Sequence, residues 1–193
     1  MPGASVPFET ATRAALLRVA RESIRQRFAH AASLPDVGAD DPALQEPGAT
    51  FVTLMQHQAL RGCIGTLEAR RPLLQDVAHN AQAAAFHDPR FSPLVPAELA
   101  TVSIYISVLS RPEPFLVQDR EELLRRLEPG RHGLILQEGA RRATFLPAVW
   151  DSLPEAEDFL EQLLHKAGLP RHHWSPTLRF LVYTTESFSE TED

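Results

Sequence analysis

Cys63 is the only cysteine of the chain, and it stands in LRGCIGT, with Arg61 and Gly62 before it and Gly65 shortly after. An ionised thiol is a nucleophile or a metal ligand, and a neighbouring guanidinium is one of the groups that activates it. Side chains alternate along a strand, so Arg61, Cys63 and Gly65 are expected on one face and Leu60, Gly62 and Ile64 on the other. That spacing would project the guanidinium and the sulfur the same way, with Cα atoms about 7 Å apart. Glycine inside a strand marks a bulge or a close approach. Gly62 and Gly65 therefore predict a bare patch of backbone that admits a neighbouring element or a ligand. The competing reading makes Cys63 a small buried apolar residue, a common fate of a free cysteine. A bulge at either glycine would separate Arg61 from Cys63.

A second group of reactive types follows in FHDPRF, at the end of the next expected helix. His87 is placed to orient or deprotonate a thiol, and Arg90 to hold a carboxylate or phosphate. The plainer reading has Asp88 capping the Asp-Pro turn, Arg90 pairing with it and Phe91 packing. The eight histidines raise the question of a metal. His79 and His87 would be separated by about 12 Å of helical rise, too far for one ion. His172 and His173 are neighbours, which rarely converge on one ion, and no HExxH or CxxC is present. Neither a protein-held metal nor another cofactor is expected, since GxGxxG and P-loop patterns are also absent. Glu98, Glu155 and Asp158 read as helix-terminus charges. Ser103, Tyr105 and Ser107 read as a solvated strand face.

The elements that must position these groups are legible from periodicity. Leu17, Ala20, Ile24 and Phe28 recur at helical spacing within Phe8–His30, predicting an amphipathic helix. SLPDVGADDPALQEPG, Ser33–Gly48, reads as a surface loop. ATFVTLMQHQALRGCIGTLEA reads as a hairpin broken at Gln56-His57-Gln58. Pro72 suits a helix N1 position, and Leu73, Leu74, Val77, Ala81, Ala84 and Ala85 continue that helix until Pro89 stops it. TVSIYISVLS alternates as a strand with one buried face. A helix over Gln118–Leu127, a hairpin in GLILQEGARRATFLP, a helix over Pro154–Ala167 and a last strand in LRFLVYTTES complete the chain. The order is helix, hairpin, helix, strand, given twice, about residues 7–115 and 116–188 of a single domain over 1–193. The fold class is α+β, with a mostly antiparallel sheet of about six strands and helices on its hydrophobic faces. One sheet and two lobes are both compatible with this order.

The composition is that of a globular chain, 44% hydrophobic and 23% charged, with a formal net charge of −6. That charge disfavours nucleic acid as a partner. No apolar run is long enough for a membrane span, and the N-terminus has no secretory pattern. A lone cysteine makes no internal disulfide, which suits a cytoplasmic location.

LRGCIGT together with AAAFHDPRFSPL, ISVLSRPEP, GLILQEGARRATFLPAVW and HKAGLP resembles the AMMECR-type domain, in prokaryotes the first component of the AmmeMemoRadiSam system. The likeness covers nearly the whole chain and is most specific at LRGCIG. It implies two unequal lobes with a groove near that motif, a cytoplasmic protein, and radical-SAM and Memo-like partners. It does not imply a settled reaction. Two functions stay open. One is an enzyme or enzyme subunit binding a small or peptide-borne substrate, with Cys63, Arg61 and His87 catalytic and Gly62, Gly65, Asp88, Arg90 and Phe91 lining the site. The other is a non-catalytic interaction or regulatory module in which Cys63 is packing.

Overall fold

The computed structural model of the chain describes residues 7–29 and 41–190, which divide into two compact units, residues 7–109 with 186–190 and residues 110–185. The loop expected over Ser33–Gly48 lies outside the described residues as far as residue 40.

The larger unit begins with α1 (Thr10–Phe28), which buries Leu16, Val19, Ala20, Ser23 and Ile24. The buried stripe is turned slightly from the expected one, with Leu17 and Phe28 only partly buried at its margin. A single turn, α2 (Pro42–Gln45), is capped by the Asp41 carboxylate. β1 (Pro47–Gln56) and β2 (Ala59–Gly65) then form an antiparallel hairpin. Its turn residues His57 and Gln58 have φ of 50° and 65°. Two successive positive φ values are what a type I′ turn needs to match the twist of the strands. β3 (Arg71–Pro72) pairs with the start of β1 and leads into α3 (Leu73–Phe86), whose N-cap is Pro72. β4 (Val102–Leu109) lies along the other edge of β1, burying Val102, Ile104, Ile106 and Val108. Val77, Ala81 and Ala84 of α3 and Leu16, Val19 and Ile24 of α1 form one core with Val52, Leu54, Ile104 and Ile106 of the sheet. Each fully buried Val, Leu or Ile of this core contributes about 1.5–3 kcal/mol, and the alanines less. The two helices thus cover one sheet face, and strand alternation leaves Phe51, Thr53, Cys63 and Tyr105 on the other.

The smaller unit contains β5 (Glu113–Pro114), α4 (Arg120–Arg126), β6 (Gly133–Glu138), β7 (Arg141–Phe145), α5 (Ala156–Lys166) and β8 (Arg179–Tyr183). Its antiparallel sheet runs β5-β8-β6-β7. Phe159, Leu160, Leu163 and Leu164 of α5 pack on Leu134, Leu136, Phe180 and Val182. Trp150 stacks on Phe159 with centroids 3.8 Å apart. Buried His132 accepts the Glu128 N–H at Nδ1, and burial lowers its pKa.

LRFLVYTTES, expected as one strand, is broken at Thr184, and β9 (Thr185–Ser189) joins β4 in the larger sheet. The break is pinned by Ser110. Its N–H donates to the Thr184 carbonyl, and its Oγ accepts the Thr184 N–H, both at 2.9 Å. The six-strand expectation therefore becomes two sheets, the larger ordered β2-β1-β4-β9 with β3 beside β1. β3, β5 and β9 are the strands that periodicity did not separate. The compact units divide at 109/110 and 185/186, since β5 pairs within the smaller sheet and β9 within the larger. In each unit the first hairpin strand is flanked by its partner and by the strand that follows the next helix, β2-β1-β4 and β7-β6-β8. The class is α+β, with antiparallel sheets flanked by helices. No helix among the described residues is long and apolar enough to cross a membrane.

Candidate functional site

β2 is the edge strand of the larger sheet, and its register holds the first surprise. Thr53 faces Cys63 and Leu54 faces Gly62, but Met55 faces Leu60. Arg61 is the extra residue of a bulge, so the expected alternation stops just before the motif's cysteine. Its guanidinium turns to the loop beyond α3, where Nε and Nη2 fork onto the Glu98 carboxylate at 2.8 and 2.9 Å. Nη1 donates to the Ser92 carbonyl at 3.0 Å. Arg61 and then the Val95 N–H hold the Glu98 carboxyl below its usual pKa. Arg61 has no hydrogen bond to Cys63 among the described residues. It staples β2 to residues 92–98.

Cys63 is half-buried, and its Sγ accepts a hydrogen bond from Thr53 Oγ1 at 3.2 Å. The guanidinium near this sulfur is that of Arg90, whose pKa is raised by Asp88 first and by Cys63 as well. Arg90 Nη2 also donates to the Cys63 carbonyl at 3.2 Å. Asp88 completes the clamp. Its Oδ2 accepts the Cys63 N–H at 2.9 Å and Arg90 Nη2 at 2.7 Å, while Oδ1 accepts the Arg90 N–H and Nε. The outward N–H and C=O of an edge strand need partners or water, and here both groups of Cys63 are taken by one Asp-Arg pair. Asp88 is only 4% exposed. Arg90, then the Cys63 and Arg90 N–H groups, hold its carboxyl far below the ordinary range. The Asp-Pro step that ends α3 is what brings this carboxylate to the strand edge.

These contacts revise the expected site. Asp88 and Arg90 pair as the plainer reading expected, and each also bonds the Cys63 backbone. Phe91 lies under the Arg90 guanidinium, 5.4 Å from ring centroid to Cζ. His87 is exposed at the C-cap of α3, and no hydrogen bond joins its side chain to Cys63 among the described residues. The glycine patch is filled by the protein itself. A Cβ on Gly62 would stand 2.2 Å from the Ala84 carbonyl oxygen of α3, and one on Gly65 would stand 2.3 Å from the Phe51 ring. Gly62 admits the helix, and Gly65 admits an aromatic ring. Gly62→Ala is expected to cost about 2 kcal/mol, since the obstacle is backbone. Urea unfolding checks this, and an unchanged midpoint would mean that α3 shifts freely.

What remains available is the sheet face away from the helices. The register sets Cys63, Thr53 and Tyr105 in a row across β2, β1 and β4. Leu60 lies opposite Met55, and Leu60 and Tyr105 are both exposed. The Ser107 and Ser187 hydroxyls are 2.8 Å apart on the same sheet.

The AMMECR1 family model matches residues 17–188. The chain belongs to the AMMECR1 family. A protein of Thermofilum pendens is 38% identical to it over 92% of this chain and 89% of its own length. Protein SSO0193 of Saccharolobus solfataricus is 40% identical over 92% and 81% respectively. The crystal structure of the uncharacterised protein PH0010 from Pyrococcus horikoshii superposes with a TM-score of 0.77 at 32% identity, covering 91% of this chain and 90% of that one. The match spans both units of this AMMECR1 chain.

A buried polar knot beside the motif was not anticipated. Asp76 is fully buried in the first turn of α3. Its carboxylate accepts from Thr50 N–H and Oγ1, Thr66 Oγ1 and Asn80 Nδ2, all at 2.8–3.0 Å, with Arg71 Nε at 3.4 Å. Asp76 and Asn80 interrupt the apolar face of the helix at i, i+4 spacing, which was the available signal. The knot ties β1, the end of β2 and α3 in this AMMECR1 unit.

For a metal, Glu157, Glu161 and His172 are the group among the described residues whose ligand atoms converge, all within 4.8 Å of one another. His172 thus meets Glu161 and not His173. Arg120 pairs with Glu157 and approaches Glu161, already supplying a positive charge there.

Proposed function

We propose that the protein is an enzyme or enzyme subunit whose reactive group is the Cys63 thiol, acting on a small or peptide-borne substrate over the helix-free face of the larger sheet. The observation that carries this reading is the setting of Sγ. It accepts from Thr53 Oγ1 and lies near the Arg90 guanidinium, while the Asp88–Arg90 pair fixes the cysteine backbone on both sides. A hydroxyl donor and a cation around a backbone-clamped sulfur are what a thiol nucleophile uses. The supporting groups are Thr53 and Arg90, in place of Arg61 and His87. Radical-SAM and Memo-like proteins as partners, and a cytoplasmic location, belong to this proposal on the resemblance of the motif segments alone.

A second reading, a docking module, is favoured by Leu60 and Tyr105, apolar surface exposed on the same face. Iodoacetamide labelling of the lone cysteine, followed by mass spectrometry, separates the two. Native Cys63 is expected to react, and Thr53→Val to slow the reaction about three- to tenfold, the worth of one hydrogen bond. Cys63→Ser is expected to abolish turnover when the protein is combined with its partners. A thiol that labels only after unfolding would favour docking.

A further inference from the structure

The smaller unit carries a cavity of about 410 Å³, within the range of small-molecule sites, made entirely by its own residues. Phe115, Leu116, Trp174, Pro176 and Phe180 give it apolar walls. Leu116 at its rim is 77% exposed, the most exposed large hydrophobic side chain among the described residues. Trp174 is held by stacking on Phe180, with centroids 5.7 Å apart. Among the lining residues Arg179 alone is charged.

Arg179 is set up to receive an anion. Its Nη1 donates to the Pro176 and Leu178 carbonyls, at 2.8 and 3.1 Å, which fixes the plane of the guanidinium. No carboxylate pairs with it among the described residues, and its Nε and Nη2 edge has the fork geometry that matches a carboxylate. Gln118 and Gln137 add neutral donors at the same lining. We infer that this cavity is a binding site for a small aromatic or branched apolar carboxylate, its body against Trp174 and Leu116 and its carboxylate on Arg179.

The rim argues for a small molecule and against an added peptide strand. Pro114 has no N–H, the Phe115 N–H is bonded to the Phe180 carbonyl, and the Gln118 N–H is bonded to Glu122. The Leu116 carbonyl already accepts from Arg126. An extended chain laid here would find few ladder partners, whereas side-chain recognition of a compact ligand is undisturbed.

The test is a titration of the ¹⁵N-labelled full chain with 3-phenylpropanoate and indole-3-acetate, and with their uncharged counterparts 3-phenyl-1-propanol and tryptophol. The readout is the Trp174 indole N–H resonance. Both acids are expected to shift it saturably, and the alcohols to bind about tenfold more weakly, the worth of one charge-assisted hydrogen bond. Arg179→Gln is expected to erase the difference between acid and alcohol. Arg179→Lys, which keeps the charge and loses the fork, should retain part of it, and carries the test if the glutamine variant changes the rest of the spectrum. Equal binding of acids and alcohols to the unmodified protein would overturn the assignment. So would the absence of any shift with all four compounds, or a shift produced only by an apolar peptide.

Discussion

Replacing Asp76 with alanine is expected to lower stability by about 4 kcal/mol, because the carboxylate is the shared acceptor of a buried cluster of donors. The Thr50 N–H and hydroxyl, the Thr66 hydroxyl and the Asn80 amide all converge on it. A buried donor left without an acceptor costs about 1–3 kcal/mol, so a plain sum would be larger. The two hydroxyls can rotate, and Asn80 Nδ2 also reaches the Thr50 carbonyl at 3.0 Å, which reduces the loss. Asp76→Asn keeps the shape and one acceptor oxygen, and about half of the effect is expected. Urea unfolding followed by far-UV circular dichroism measures both variants. Trp150 and Trp174 both lie in the smaller unit, so their fluorescence reports that unit separately. A loss below about 1 kcal/mol in the alanine variant would show that the donors find other acceptors.

Asp76 also marks where sequence reasoning stopped. Alternation in TVSIYISVLS and the helical spacing in α5 depend on local geometry, and those elements stand where periodicity put them. The hairpin that carries LRGCIGT followed from the same local rules, and its place at the sheet edge came only with the structure. The bulge did not. Arg61 leaves the alternation because a carboxylate distant in sequence, Glu98, offers a two-point fork, and no nearby residue signals that partner. The same holds for the break at Thr184, fixed by Ser110 from across the smaller unit. Gly62 and Gly65 correctly signalled close approach, but spacing cannot say whether the visitor is a ligand, a helix carbonyl or a phenyl ring. The reactive types and the Asp88–Arg90 pair were legible, and their contacts with Cys63 were not. Arg90 and Thr53 reach Cys63 through tertiary contacts, one from the end of α3 and one across a strand pair.

Asp88→Ala is expected to cost about 3 kcal/mol and to loosen β2 at Cys63. Most of that loss belongs to the half-buried Cys63 N–H and the nearly buried carboxylate that accepts from it. The Arg90 side chain is 54% exposed, so its ion pair is screened and worth little by itself. Hydrogen exchange at the Cys63 amide should accelerate more than at the Val52 amide, and iodoacetamide should reach the thiol with less selectivity. The pH dependence gives a sharper signature. The folded state lowers the Asp88 pKa below its unfolded value, which is about 3.9. The unfolded chain therefore binds the proton first, so the carboxylate's contribution is fully present above about pH 4 and is lost as pH falls below it. Asp88→Asn carries no such proton. The stability gap between Asp88 protein and its asparagine variant is expected to be widest near neutral pH and to shrink steadily below pH 4. Urea melts at pH 7 and pH 3 measure it. A gap of the same size at both would mean that the charge on Asp88 contributes nothing and that its role at the strand edge is hydrogen bonding by shape alone.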